Sequence, residues 1–191
     1  AQLMAGNRPL DSRKEYKDRI QKQISEIRDM TTELLEFARG KSQILLRKTQ
    51  IRDFLREVEE LLNDEFEQAG MTLSIDDRFG GAVRMDEGKM RRVVANLARN
   101  SIEACEKGST FTIRVEETEG HITLQFADDG PGIPEEMKGR LFESFATHGK
   151  EHGTGLGLAI VKKFVTEHQG NIRVESEPGT GTSFIVELPA V

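Results

Sequence analysis

Between Asp128 and Leu158 the chain carries two glycine clusters, Asp-Asp-Gly-Pro-Gly-Ile-Pro at 128–134 and Gly-Thr-Gly-Leu-Gly-Leu at 153–158. Glycine at this density forfeits backbone entropy, so a fold built on it uses it for positive φ or for close approach of the backbone to another group. The second cluster runs without a break into Leu158-Ala-Ile-Val-Lys-Lys-Phe-Val, a helical pattern that extends to about His168. Gly153 to Gly157 would then present backbone N–H groups at a helix N-terminus, where a phosphate is stabilised. The P-loop spacing G-x-x-x-x-G-K-[ST] is absent. Glycines 153, 155 and 157 are evenly spaced with no strand directly before them, which is not the Rossmann spacing.

The rest of the chain reads as one main domain with an appendage. Residues 1–11 form a loop, and Asp11 or Ser12 caps a helix. Ile20, Ile24, Ile27, Thr31, Leu34 and Ala38 follow at steps of 4, 3, 4, 3 and 4, a heptad seam. Tyr16, Met30, Leu35 and Phe37 widen that stripe as a bundle helix requires, and Gly40 is its C-cap. The seam has no obvious partner within the chain, so residues 1–40 are expected to build a bundle with another subunit, a homodimer. Residues 41–191 follow as the main domain.

In the main domain a short strand is expected at Ile44–Arg47. A helix from Ile51 to Gly70 comes next, then strands at Met71–Ile75 and Ala82–Met85. Asp86 caps the helix that carries Asn96 and Asn100. Strands at Thr110–Glu116 and Ile122–Phe126 turn through Thr118-Glu-Gly-His, and Ile172–Glu175 and Ser183–Leu188 turn through Pro178-Gly-Thr-Gly. Hairpins mixed with helices indicate an α+β domain, a mixed sheet with helices packed on one face. Composition excludes several functions. A formal charge of −6 is wrong for general nucleic-acid binding, and no run of 18 apolar residues offers a membrane span. Cys105 is the only cysteine, which rules out an internal disulfide and suits a reducing, cytoplasmic setting. It is expected to be a small helix residue with no chemistry.

Four motifs carry a resemblance to a known family. Asn96-Leu-Ala-Arg-Asn100-Ser-Ile-Glu-Ala resembles the N box, and Asp128-x-Gly130-x-Gly132-Ile133 the first glycine box, of the GHKL ATPases. Leu141-Phe-Glu-Ser-Phe145 resembles the F box of sensor histidine kinases, and Gly153-Thr-Gly-Leu-Gly-Leu158 their second glycine box. The four stand in the family's order. Residues 12–39 are similar to the second helix of the kinase dimerisation domain. The resemblance implies a two-layer α/β sandwich and an ATP-binding catalytic domain of a sensor histidine kinase, acting with Mg²⁺ and a response regulator partner. The first dimerisation helix, which carries the phosphoacceptor histidine, is expected to be missing, because no histidine precedes His121.

By the same resemblance Asn96 and Asn100, one helical turn apart, are magnesium-site residues, a role neutral oxygens can fill beside phosphate oxygens. Asp128 accepts the adenine amino group, which would discriminate ATP from GTP, and Gly130 and Gly132 admit the base. Asp129 is expected to be a solvated turn residue. Ile133, Phe142, Phe145, Leu156 and Leu158 are candidate apolar walls. Arg140 matches a basic position that reaches phosphate in some relatives. Residues 146–152 are a short ATP lid in which Lys150 is the best cation for phosphate, and Gly153, Thr154, Gly155 and Gly157 are phosphate-binding. His148 and His152 have i, i+4 spacing, but a glycine-flanked loop does not bring them together as metal ligands.

Two departures bear on chemistry. Hydrolysing relatives have a glutamate where Asn96 stands, and an amide is a poor base, which favours phosphoryl transfer over hydrolysis. Many histidine kinases have Lys-Tyr where this chain has Glu103 and Ala104. The competing expectations are an anti-sigma-type serine kinase and a nucleotide-binding pseudo-kinase scaffold.

Overall fold

The structure is a computed structural model that describes residues 43–145 and 155–190, together with helical positions 16, 17, 20, 24, 28, 31 and 35. The chain divides into two units, Ala1–Gly40 and Lys41–Val191. In the first, the described seam-side residues Tyr16, Ile20, Ile24 and Leu35 are all exposed. Thr31, also on the seam, is exposed as well, with its Oγ1 donating to Arg28 O at 2.9 Å, and Ile27, Leu34 and Ala38 lie outside the described residues.

The second unit begins with β1 (Arg47–Gln50), α1 (Ile51–Ala69), β2 (Thr72–Asp77) and β3 (Ala82–Met85), followed by α2 (Glu87–Ala104). Then come β4 (Thr110–Thr118), β5 (His121–Asp128), the single turn α3 (Glu135–Lys138), α4 (Gly157–Glu167), β6 (Asn171–Glu177) and β7 (Gly181–Pro189). Five strands form one sheet in the order β2-β4-β5-β7-β6, parallel only between β2 and β4, and β1 pairs with β3 in a separate antiparallel ribbon. This is the mixed sheet the sequence leads one to expect.

Strand alternation builds the core. Ile113, Val115, Ile122, Leu124, Phe126, Phe184, Val186 and Leu188 share the buried face. Register places Ile113, Phe126 and Phe184 in one row and Val115, Leu124 and Val186 in the next. The apolar stripes of α1 (Phe54, Val58, Leu62, Phe66), α2 (Met90, Val93, Val94, Leu97) and α4 (Ile160, Val161, Phe164) cover that face. Phe66 stacks on Phe111 with ring centroids 5.4 Å apart, fixing α1 against the parallel edge of the sheet.

Two local expectations need correction. The first strand lies at Arg47–Gln50 instead of Ile44–Arg47, because pairing with Ala82–Met85 sets its position. Thr49 is the residue it buries, with Oγ1 donating to Glu87 Oε1 at 2.7 Å, whereas Leu45 of the apolar triplet is exposed. The turn α3 was not anticipated, since four residues are too few to show helical period.

Helices α2 and α4 run antiparallel, and α4 is fastened to α2 at both of its own ends. At one end the Asn96 amide nitrogen donates to Gly157 O at 3.4 Å. At the other, Asp86 caps α2 by accepting from Lys89 N and also accepts from Leu45 N. Burial works against the Asp86 charge, but these amide bonds outweigh it and hold the carboxyl below its usual range. His168, only 4% exposed, accepts from Asp86 N at Nε2 and donates to Phe164 O from Nδ1 at 2.7 Å, which fixes a neutral tautomer. Lys89 pairs with Glu167 at 2.6 Å beside it.

Burial holds the His168 imidazole below its ordinary value of 6.5. The unfolded chain therefore binds the extra proton first, and stability rises with pH across this range. The contribution is complete above the ordinary histidine value and is lost as pH falls through the lower folded value. The contribution of Asp86 is present above the ordinary carboxylate value and is lost as pH falls through its own lower folded value. Urea unfolding from neutral pH to about pH 5 is expected to show a falling midpoint. His168→Gln should be less stable at neutral pH and show a flatter slope. An equal slope in both proteins would count against the assignment.

Candidate functional site

Strand parity settles which of the paired aspartates turns inward. Counting by twos from Ile122, Leu124 and Phe126 brings Asp128 to the helix-facing side of β5, at the end of an apolar column. Its row partners are Phe111 on β4 and Thr182 on β7. Asp128 Oδ1 accepts from Gly130 N at 3.1 Å and Thr182 N at 3.2 Å. Burial raises its carboxyl above the ordinary value, and these amide bonds work against that rise. Asp129 has the opposite parity. It is exposed but not idle, since its Oδ1 accepts from Thr110 N at 2.8 Å and so tethers the start of β4. The expectation of a merely solvated turn is corrected accordingly.

The glycines of the first cluster are needed by the protein itself. A Cβ on Gly132, whose φ is +74°, would meet Glu177 O at 2.2 Å, where the turn between β6 and β7 packs against this loop. Gly179 N donates to Pro131 O at 2.7 Å across that contact. A Cβ on Gly130 would lie 2.4 Å from Cys105 Sγ. Ile133 is anchored through its N–H to Ser176 Oγ at 2.9 Å, and Ser176 also contacts Thr182 Oγ1. Asp128, Gly130, Gly132 and Ile133 are thus one rigid unit with the β6–β7 hairpin.

Helix α2 connects this carboxylate with the N-terminus of α4. Its last turn carries Ser101 and leads into Cys105, which stand by Asp128, while Asn96 stands by Gly157. At 1.5 Å rise per residue, Asn96 and Cys105 are roughly 13 Å apart along the helix, the scale of a nucleotide from base to phosphates. Asn96 and Asn100 are both half-buried on the same side. With the Asn96 nitrogen held by Gly157, its oxygen is the end left to act as a ligand. The first amides of α4 have no partner inside the helix, and Leu156 supplies no side-chain cap.

The candidate apolar walls divide. Leu156 is fully buried and belongs to the core, while Leu158, Ile133 and Phe142 are partly buried against it. Phe145 is 62% exposed with φ +67°, and its N–H donates to Gly155 O at 2.9 Å, tying the F-box segment to the second glycine cluster. Arg140 is exposed and pairs with Glu143 at 2.9 Å. Lys150, Gly153, Thr154, His148, His152 and the expected lid lie outside the described residues.

A nucleotide with its own cation fits this donor set. Among the described residues no group of three His, Cys, Asp or Glu side chains is placed to hold a metal. Two neutral amides beside a helix N-terminus suit Mg²⁺ only when phosphate oxygens and water complete its shell. The sequence reading missed Thr182 and Cys105. Both were detectable, Thr182 by parity with Phe184 and Val186, Cys105 by 3–4 spacing from Leu97 and Ser101.

Residues 85–191 match the family described as histidine kinase-, DNA gyrase B- and HSP90-like ATPase. Sporulation kinase C of Bacillus subtilis (strain 168) is 33% identical over 179 residues, covering 93% of this chain and 41% of that protein. The chain therefore spans about two fifths of that curated relative. Among solved structures, the catalytic domain of the histidine kinase ThkA is 30% identical with a TM-score of 0.69, covering 76% of this chain and 95% of that one. ThkA in complex with the response regulator TrrA aligns with a TM-score of 0.78 at 25% identity, over 96% and 53% of the two chains. Full-length ShkA in complex with AMPPNP aligns with a TM-score of 0.80 at 26% identity, over 92% and 38%.

Proposed function

Since this chain belongs to the histidine kinase-, DNA gyrase B- and HSP90-like ATPase family, we propose that residues 41–191 are the ATP-binding catalytic domain of a two-component sensor histidine kinase. The observation that carries this reading is the inward-facing Asp128 carboxylate joined through α2 to the N-terminus of α4. Asp128 takes the amino group of adenine. Asn96 and Asn100 contribute oxygens toward Mg²⁺, which supplies charge neutralisation at the phosphates when bound. The first amides of α4, with Gly153, Thr154 and Gly155, receive phosphate oxygens, and Arg140 and Lys150 add positive charge. Ile133, Phe145 and Leu158 shape the apolar side, while Leu156 supports them from the core.

This set positions a nucleotide and stabilises charge, which is most of what phosphoryl transfer asks of a protein. The site offers Asn96 where a general base for water would have to stand, so transfer to a protein side chain is favoured over hydrolysis. The N-terminal unit, with its exposed apolar positions, is the dimerising helix. The response regulator partner is supported by the ThkA–TrrA complex.

Calorimetric titration with ADP, with and without Mg²⁺, tests the reading. We expect one site per chain, tighter with Mg²⁺, and a clear preference for adenine over guanine nucleotides. Absence of adenine nucleotide binding would remove the proposal.

A further inference from the structure

We propose that Cys105 is the positioning residue of the base site, its thiol donating to the Asp128 carboxylate while the buried Ser101 hydroxyl orients the thiol. The inference depends on the reading of Asp128 as acceptor for an adenine amino group.

Cys105 closes α2 as its C-cap, with its N–H donating to Ser101 O at 2.9 Å. Its Sγ lies 3.6 Å from Ser101 Oγ, and Ser101 is 3% exposed. On its other side Cys105 packs beneath Gly130. The position of a Cβ on Gly130 is 2.4 Å from Cys105 Sγ and 3.0 Å from Asp128 Oδ1, so thiol and carboxylate converge on one spot. The thiol thus stands beside the carboxylate, within reach of it, with Ser101 Oγ on its other side.

The chemistry of the proposed thiol-to-carboxylate bond follows from its surroundings. Asp128 already receives the Gly130 and Thr182 amides from the sheet side. The thiol arrives from the helix side, so donors on two sides fix the carboxylate plane, whose terminal torsion is otherwise soft. Burial first, then the Asp128 charge, pushes the Cys105 thiol up to about 11. At neutral pH it is therefore an S–H donor with negligible thiolate character, which suits holding a carboxylate and is wrong for nucleophilic work. Any side chain on Gly130 would displace it, which explains a glycine that no ligand needs to explain. The result is a carboxylate presented in one orientation to a base that must offer an exocyclic amine.

The test compares ADP with purine riboside diphosphate, the analogue that lacks the exocyclic amine, on wild type, Cys105→Ala and Cys105→Ser. In Cys105→Ala we expect ADP affinity to fall roughly three- to tenfold, the worth of one hydrogen bond, and affinity for the analogue to stay within about twofold. Cys105→Ser keeps a donor and should restore ADP binding. Urea unfolding without nucleotide shows whether each variant is folded. Unchanged ADP affinity in Cys105→Ala, an equal loss for both nucleotides, or failure of Ser to rescue would each overturn the role of Cys105 while leaving Asp128 in place. Equal affinity of wild type for the two nucleotides would instead overturn the Asp128 reading and this inference with it.

Discussion

Replacing Asp128 with Ala is expected to weaken ADP binding by roughly 10- to 100-fold, the range for losing a hydrogen bond to a charged partner. The adenine amino group would face a methyl group and an apolar column in place of an acceptor. Adenine preference should vanish together with affinity, because the phosphate end of the site is untouched. The two amides that Asp128 accepts, from Gly130 and Thr182, also lose their partner. Asp128→Ala should therefore lose about 1–3 kcal/mol of stability. Asp128→Asn preserves shape and one acceptor oxygen, and its urea midpoint separates folding from binding. The carboxyl is held above its ordinary value by burial. ADP affinity of the wild type should consequently begin to fall, on acidification, at a higher pH than an exposed aspartate would give. An unaltered dissociation constant in Asp128→Ala would end the assignment.

The second large effect concerns phosphoryl transfer. The 191-residue chain is expected to bind Mg²⁺·ATP and yet take up negligible acid-labile phosphate from labelled ATP. It contains four histidines, at 121, 148, 152 and 168. His121 is exposed at the start of β5, beside the β4–β5 turn. His168 is buried, and both of its ring nitrogens are engaged. His148 and His152 flank the second glycine cluster and have no bundle-helix context in the sequence. Neither described histidine is offered to a nucleotide as an acceptor on a docked helix would be. Adding a fragment that carries a histidine on a dimerising helix should restore label, and the label should appear on the fragment. Stoichiometric acid-labile phosphate on the isolated chain would show that one of its own histidines is an acceptor.

Much of this architecture was legible before any coordinates. The 3.6-residue period found α1 and α2, the alternation found β4, β5 and β7, and Asp86 was readable as a cap. These are local properties, because each depends on side chains a few residues apart. The four motifs singled out Asp128, Asn96, Asn100 and the α4 N-terminus as candidates for the same reason. Spacing within a short segment is conserved on folding, whatever packs against it.

What only the tertiary structure decided are contacts between distant segments. The register of β1 depends on β3, some 35 residues away, so an apolar triplet misplaced it. Gly130 and Gly132 look from the sequence like ligand glycines, yet Cys105 and Glu177 are what their missing Cβ atoms accommodate. Asp129 was read as idle because Thr110, its partner, is 19 residues earlier. His168 was a helix-end residue until Asp86 proved to be 82 residues away in sequence and 2.9 Å in space. Periodicity fixes which face of an element is apolar. Which particular polar groups meet at the ends of those elements is set by how the elements pack, and in this protein the proposed site lies at those ends.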